Sequence, residues 1–352
     1  MNKKGFTLIE LLAVIVILAI IALIATPIVL NIIEDTKQQA GLRSADFYLD
    51  ALELSIAQAT LDKTLDNKNI TDGQYNILNN GNICLSYEDG KEKCAEELEL
   101  EVKGEIINKG TVTIKNGQID KVSLVQNNKI IEKDDKGELS YKKIIAPVSF
   151  AEDEWDTIID NVKIGNTSVY EKNFNEGVNN TNKIKLTIDG TEKEYTVRMV
   201  NVSTPEECNS EGFSQTACGF VVEFVDIITK HAMNPTYTVS GHEPVATENY
   251  KTHDKIYLLS TKEVWGKEGT DNVIEHDTAE AETRQLDYYK KLGVTTENFE
   301  GAVKNYDGSA YDWWLRPAYS INTSDFFSVN GAGDWYGSAA HYTYGVAVAF
   351  RI

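Results

Sequence analysis

Histidine and cysteine are scarce in this chain of 352 residues, with five of the first and four of the second. The cysteines, Cys84, Cys94, Cys208 and Cys218, form two pairs with nine residues inside each. Most structural zinc sites use a C-x2-C spacing with histidines nearby, so no metal site is expected. Four cysteines permit three connectivities, and two local disulfide loops are the simplest. That reading places the chain in an oxidising, extracytoplasmic compartment, with free buried thiols as the alternative. Positive charge is also short: 34 Lys and Arg stand against 54 Asp and Glu, a net charge of −20. Such a surface repels a phosphate backbone, so no nucleic-acid partner is expected. H-E-x-x-H, G-x-S-x-G and glycine-rich phosphate loops are all missing, and no enzyme activity or cofactor is expected. A second long apolar run is missing too, so a polytopic membrane protein is not suggested. With 42% hydrophobic and 25% charged residues, the remainder reads as about two globular domains.

The one long apolar run opens the chain: "KKGFTLIELLAVIVILAIIALIATPIV", residues 3–29. Only Thr7 and Glu10 interrupt it between Phe6 and Ala25. A secretory signal would carry a small-residue cleavage site after its core, but here the core is preceded by Gly5 and followed by no such site. A helix from Phe6 to Ile33 would be about 42 Å long at ~1.5 Å per residue, more than a hydrocarbon layer of ~30 Å requires. Lys3 and Lys4 would stay on the cytoplasmic side. A carboxylate such as Glu10 costs on the order of 3 kcal/mol at membrane depth and persists when paired or functional. Pro27 removes a helical hydrogen bond and is expected to kink or loosen the helix.

Gly5-Phe6-Thr7-Leu8-Ile9-Glu10, the short basic leader and Pro27 together resemble the type IV prepilin signature, shared with secretion pseudopilins and competence pilins. The resemblance implies a leader of residues 1–5, cleavage after Gly5 by a prepilin peptidase, and N-methylation of Phe6. It further implies that helix 6–33 leaves the membrane for a filament core, where Glu10 pairs with the Phe6 amine of a neighbouring subunit. The implied partners are the prepilin peptidase, other pilin subunits and the assembly platform, with a membrane before assembly.

Past Pro27 the helix is expected to continue to about Ala59. Phe47, Ala51 and Leu54 fall on one stripe with Tyr48 and Leu52 beside it, while Asp46, Asp50 and Glu53 repeat on another face. "NICLSYEDGKEKC" places a D-G turn between two short runs, with Cys84 and Cys94 at the base of one hairpin. "GTVTIKNGQIDKVSLV" predicts a second hairpin around Asn116-Gly117. Residues 34–145 thus predict a helix packed on an antiparallel sheet, the pilin roll that the resemblance also implies. A charged and then proline-containing stretch marks a linker at 146–154.

Residues 155–352 predict short strands at "KIKLTI", "KEYTVRMV", "CGFVVEFVDII", "DKIYLLS" and "GVAVAFRI", with a hairpin around Asp189-Gly190. "YTVRMVNV", "DKIYLLSTKEVW", "YDWWLRPAYS" and "GVAVAFRI" resemble blocks of a domain of Gram-positive surface and phage tail proteins. That domain has WWLRSP-like and GVRP-like blocks and is related to C-type-lectin and formylglycine-generating-enzyme folds. The resemblance implies a loop-rich, lectin-like α+β domain. Here Pro317 directly follows Arg316, no Arg follows Val346, and no cysteine follows Cys218, where formylglycine-generating enzymes use a late pair.

Ten of the 34 residues from Tyr311 to Tyr344 are aromatic, about three times the chain's 9%. They alternate with Ser, Asn, Gly and Asp, pairing rigid contact area with adaptable hydrogen bonding as antibody paratopes do. Trp313 and Trp314 are expected in the core, and the stretch from Tyr319 to Tyr342 on the surface. Candidate ligand-binding residues are Tyr319, Asn322, Phe326, Phe327, Asn330, Asp334, Trp335, Tyr336, His341 and Tyr342, for a glycan or protein ligand. The expected function is a minor or tip type IV pilin-like subunit with an adhesive head; a head of 200 residues, with a radius of gyration of about 16 Å, is bulky for a closely repeated subunit. The alternative is a pseudopilin of a type II secretion-like or DNA-uptake machine.

Overall fold

The structure is a computed structural model that describes residues 8–61, 70–87, 94–103, 106–134, 136–210, 212–234, 256–266, 283–319 and 324–352. Gly5, Phe6, Asn322, the Asp89-Gly90 turn and the side chain of Glu10 lie outside the described residues. The chain divides into two compact units: residues up to Cys84 with Glu97–Lys142, and Leu85–Glu96 with Lys143–Ile352.

The first unit begins with α1, Leu8–Leu61, 54 residues in one run that continues through Pro27. From Leu8 to Ile33 every described Leu, Ile and Val side chain is exposed, and they occupy all sides of the helix. Among the described residues no helix is long and apolar enough to cross a membrane. The later half of α1 is amphipathic, but its buried stripe is not centred where the spacing suggested. Ala45, Tyr48, Leu49, Leu52 and Ile56 are buried, whereas Phe47 and Leu54 are 50% and 59% exposed. Two apolar faces flank the acidic one on this helix. The sheet takes the face that carries the small residues Gly41 and Ala45, because close approach needs them. A Cβ on Gly41 would stand 2.1 Å from the Tyr141 hydroxyl oxygen.

Among the described residues seven strands follow in the chain, of which β2 and β3 fall largely in the second unit: β1 (Gly73–Asn76), β2 (Ile83–Tyr87), β3 (Cys94–Leu98), β4 (Gly110–Lys115), β5 (Gln118–Gln126), β6 (Lys129–Lys133) and β7 (Leu139–Tyr141). β2 and β3 pair with each other, and the rest form an antiparallel sheet in the order β1-β4-β5-β6-β7. Asn116 and Gly117 both have positive φ, at 53° and 71°, as a two-residue type I′ hairpin requires. α1 is tied down by polar contacts at the edges of its buried stripe. The Tyr48 hydroxyl donates to the Gly81 carbonyl at 2.9 Å, and Tyr141 donates to the Gln38 carbonyl at 3.2 Å. Lys129 forms an ion pair with Glu34.

In the second unit, residues 146–154, read above as a linker, are packed into the fold. Phe150 is fully buried, its N–H donates to Asn173 Oδ1 at 3.0 Å, and Tyr170 donates to Asp153 at 2.8 Å. Helices α2 (Trp155–Lys163) and α3 (Ser168–Glu176) follow. Strands β8 (Thr181–Ile188), β9 (Thr191–Asn201), β10 (Val221–Phe224), β11 (Thr229–His231) and β12 (Ile256–Leu258) come next, with helices α4 (Thr261–Trp265) and α5 (Asp287–Lys291). The chain then forms β13 (Asn305–Tyr306), β14 (Ser309–Ala310), β15 (Trp313–Ala318), β16 (Asp325–Val329), β17 (Trp335–Ala339), β18 (Tyr344–Val346) and β19 (Val348–Arg351).

These strands build an antiparallel sheet, β12-β19-β10-β9-β8, and a second sheet, β11-β18-β15-β16-β17, in which β15 and β18 run parallel. The closing "GVAVAFRI" therefore divides at buried Ala347 and contributes one strand to each sheet. One core gathers Phe150, Ile158, Tyr170, Phe174 and the inner face of β9 and β10. The other gathers Trp265, Tyr289, Trp313, Leu315, Phe327 and Val329. The stretch from Tyr319 to Tyr342 is less loop-like than its composition suggested, since ten of its 24 residues form β16 and β17. Ser, Gly and Asp within those strands break the apolar alternation, and cross-strand pairing supplies the order instead.

Candidate functional site

Three charged residues of the C-terminal sequence blocks, Arg198, Glu263 and Arg316, are spent inside the fold. Arg316, from "WWLRP", grips Glu263, from "STKEVW", with two hydrogen bonds of 2.6 Å, and Glu263 is fully buried. Thr216, Thr283 at 3.2 Å and the N–H of Ser260 at 2.9 Å complete the shell of that carboxylate. Burial alone would raise the pKa of Glu263, but Arg316 and the hydroxyl donors outweigh it and hold the carboxyl below its usual value. The same carboxylate closes a capping box with Ser260 at the start of α4.

Arg198, from "YTVRMV", makes an equivalent buried centre with Glu223 and Lys304. The guanidinium donates to Glu223 Oε1 through Nε at 2.6 Å, Lys304 Nζ lies 3.1 Å from Oε2, and Tyr289 donates to Oε2 at 2.9 Å. Burial pulls the Lys304 ammonium down to about 8 against the opposing pull of Glu223. Glu223 is held below its usual value by Arg198 and Lys304 despite complete burial. In both centres the charged groups are engaged with one another.

The surface site lies on the β16-β17 side of the second sheet. A cleft of about 560 Å3 is lined by Thr296, Tyr319, Asp334, Trp335, Tyr336 and Gly337, within the size range of small-ligand sites. β17 is the edge strand there. Gly337 makes room for the Tyr319 ring: a Cβ at that position would stand 3.0 Å from Cδ1 of Tyr319. The ring is thereby set 6.5 Å from Trp335, and both rings rest on buried Phe327, at 5.1 Å and 6.1 Å between centroids. Asp334 is positioned by its own turn. Asn330 Oδ1 accepts from the Asp334 N–H at 3.1 Å, and Asp334 Oδ1 accepts from the Trp335 N–H at 2.8 Å. Thr296, also in the lining, is only 6% exposed, and its hydroxyl has no hydrogen-bond partner in the structure.

Of the sequence-predicted ligand residues, the structure brings Tyr319, Asp334, Trp335 and Tyr336 to this cleft. Phe327 is fully buried beneath it, so it supports the rings above and presents no surface. Asn330 shapes the β16-β17 turn, accepting also from the Ala332 N–H at 2.9 Å. Phe326 packs edge-on against Trp314 at 6.5 Å. His341 and Tyr342 belong to a separate ring stack, in which Tyr342 lies on Tyr344 at 5.8 Å and Tyr344 on Trp314 at 4.7 Å. Thr296 carried no signal in the sequence, being one threonine of a polar "TTEN" turn. All four cysteines are disulfide-bonded, with Cys208 joined to Cys218. Among the described residues no cluster of His, Cys, Asp and Glu could hold a metal ion.

A long helix with an apolar first half, carrying disulfide-bonded β-rich units, defines the class of protein. The comparisons with known proteins agree. Residues 1–26 match the prokaryotic N-terminal methylation motif, and residues 181–352 match a domain of unknown function, DUF6273. The chain is 30% identical over 125 residues to prepilin peptidase-dependent protein A of Clostridium perfringens, covering 35% of this chain and 87% of that protein. It belongs to that family of prepilin-type proteins, and is a pilin-type surface protein. No solved structure matches it.

Proposed function

We propose that the chain is a minor or tip type IV pilin-like subunit that displays an adhesive, lectin-like head at the cell surface. The observation that carries this reading is the first half of α1, where exposed Leu, Ile and Val side chains cover every side from Leu8 to Ile33. A helix apolar all round is stable only when lipid or other helices surround it. The methylation motif at residues 1–26 supplies the route between the two environments. Before processing, the apolar run 6–33 spans the membrane; after cleavage at Gly5, neighbouring copies replace the lipid, with Glu10 meeting the Phe6 amine of the next subunit. Phe47 and Leu54 extend the exposed apolar surface along α1. The cleft formed by Tyr319, Asp334, Trp335 and Thr296 supports the adhesive role of the head.

Immunogold labelling of intact cells tests this reading together with an adhesion assay on a strain lacking the chain. Label on filaments or their tips, with adhesion lost in the deletion strain, is the expected result. Label confined to the envelope with adhesion intact would contradict it and favour a pseudopilin.

A further inference from the structure

We infer that the cleft between Thr296 and Trp335 binds a saccharide, without calcium. The inference rests on the adhesive reading of the head and names its ligand class.

Three observations converge on it. The first is the aromatic floor: Trp335 and Tyr319 are held by Phe327 below and by Gly337, which lets the Tyr319 ring lie against β17. Preset rings of this kind stack against the flat C–H face of a pyranose at little entropic cost. The second is Asp334, an acceptor fixed at the rim by the turn that Asn330 closes. Carboxylate oxygens accept strongly from sugar hydroxyls. The third is Thr296, a residue of the cleft lining that is more than nine-tenths buried and whose hydroxyl lacks any partner in the structure. A buried hydroxyl without a partner is costly, and such groups in native folds call for an explanation. A ligand hydroxyl, which both donates and accepts, meets that need.

The same three features separate a sugar from the other chemistry that aromatic rings with one carboxylate suggest. A quaternary ammonium would fill the space between rings by cation–π attraction, but it offers Thr296 neither donor nor acceptor. Only a ligand with an apolar face and several hydroxyls uses all three groups. Among the described residues Asp334 is the only carboxylate lining the cleft, too few for a calcium site, which needs six to eight oxygens.

The test uses the full-length mature protein in detergent, applied to an array of immobilised mono- to tetrasaccharides in the presence of EDTA. Any saccharide retained is then titrated by tryptophan fluorescence. At least one saccharide is expected to bind in EDTA and to shift the emission. Trp335→Ala should weaken binding at least tenfold, and Asp334→Asn and Thr296→Val about tenfold each. Lys193→Ala, on the distant β8-β9 hairpin, should change nothing. Thr296→Val removes only an unpartnered hydroxyl, so its melting temperature should match or exceed that of the wild type, which separates lost binding from misfolding. Retention of no saccharide, retention only with calcium, wild-type binding by both Trp335→Ala and Asp334→Asn, or competition by tetramethylammonium alone would overturn the inference. Adhesion that depends on the chain but survives Trp335→Ala would also overturn it while leaving the adhesive reading standing. Adhesion indifferent to deletion of the chain would remove that reading itself.

Discussion

Arg316 and Glu263 show how much of the second unit depends on single residues. Removing one partner of a buried pair strands the other charge away from water, at a cost of about 3–5 kcal/mol. Arg316→Ala should therefore lower the stability of this unit by that order in urea denaturation, although Arg316 lies on no ligand surface. The carboxylates also set an acid limit. Glu223 and Glu263 are held below the ordinary value of 4.5 in the folded protein. Between the folded and unfolded values the unfolded chain binds more protons, so stability rises with pH across that interval. Their contribution is complete above about 4.5 and is lost as pH falls through the folded value. Thermal melts followed by circular dichroism should show the melting temperature falling steeply below that pH. Glu263→Gln should flatten the decline, and an equal slope in the variant would contradict this account.

α1 belongs to the scale of elements, since one helix does two jobs with two halves. Leu52 is fully buried, and Leu52→Ala should cost roughly 2–5 kcal/mol of stability in the first unit. Phe47 is half exposed, and Phe47→Ala should leave the melt unchanged while lowering the yield of sheared filaments. A melt that drops equally for both substitutions would refute the division of faces. The sequence showed this helix and its amphipathic half, but two apolar stripes compete on it, and only Gly41 and Ala45 reveal which one the sheet covers.

Hairpins with Asn-Gly or Asp-Gly turns were legible because positive φ at both turn residues leaves few other choices. Asn116-Gly117 and Asp189-Gly190 adopt it as expected. The short helices α2 and α3 were not legible: neither has a side-chain cap hydrogen bond to mark its start. β16 and β17 were hidden by their small polar residues, although the aromatic density in the same stretch did point to Tyr319, Asp334, Trp335 and Tyr336. The partner of those residues, Thr296, is more than 20 positions earlier in the chain, beyond the reach of local pattern.

At the scale of the molecule, the chain combines an apolar helix with a head in which Arg198, Glu223, Lys304, Glu263 and Arg316 are paired. The chain's net charge of −20 opposes close approach of copies, and on the proposed reading the apolar helices supply the cohesion. Everything in this arrangement presupposes that the helix remains on the mature chain and that only the leader is removed. Mass spectrometry of the N-terminal peptide, from protein recovered from the envelope and from sheared surface material, tests that most directly. The account predicts a chain beginning at Phe6 with a methylated amine. A mature chain that begins at Met1, or one trimmed beyond Ala25, would contradict it.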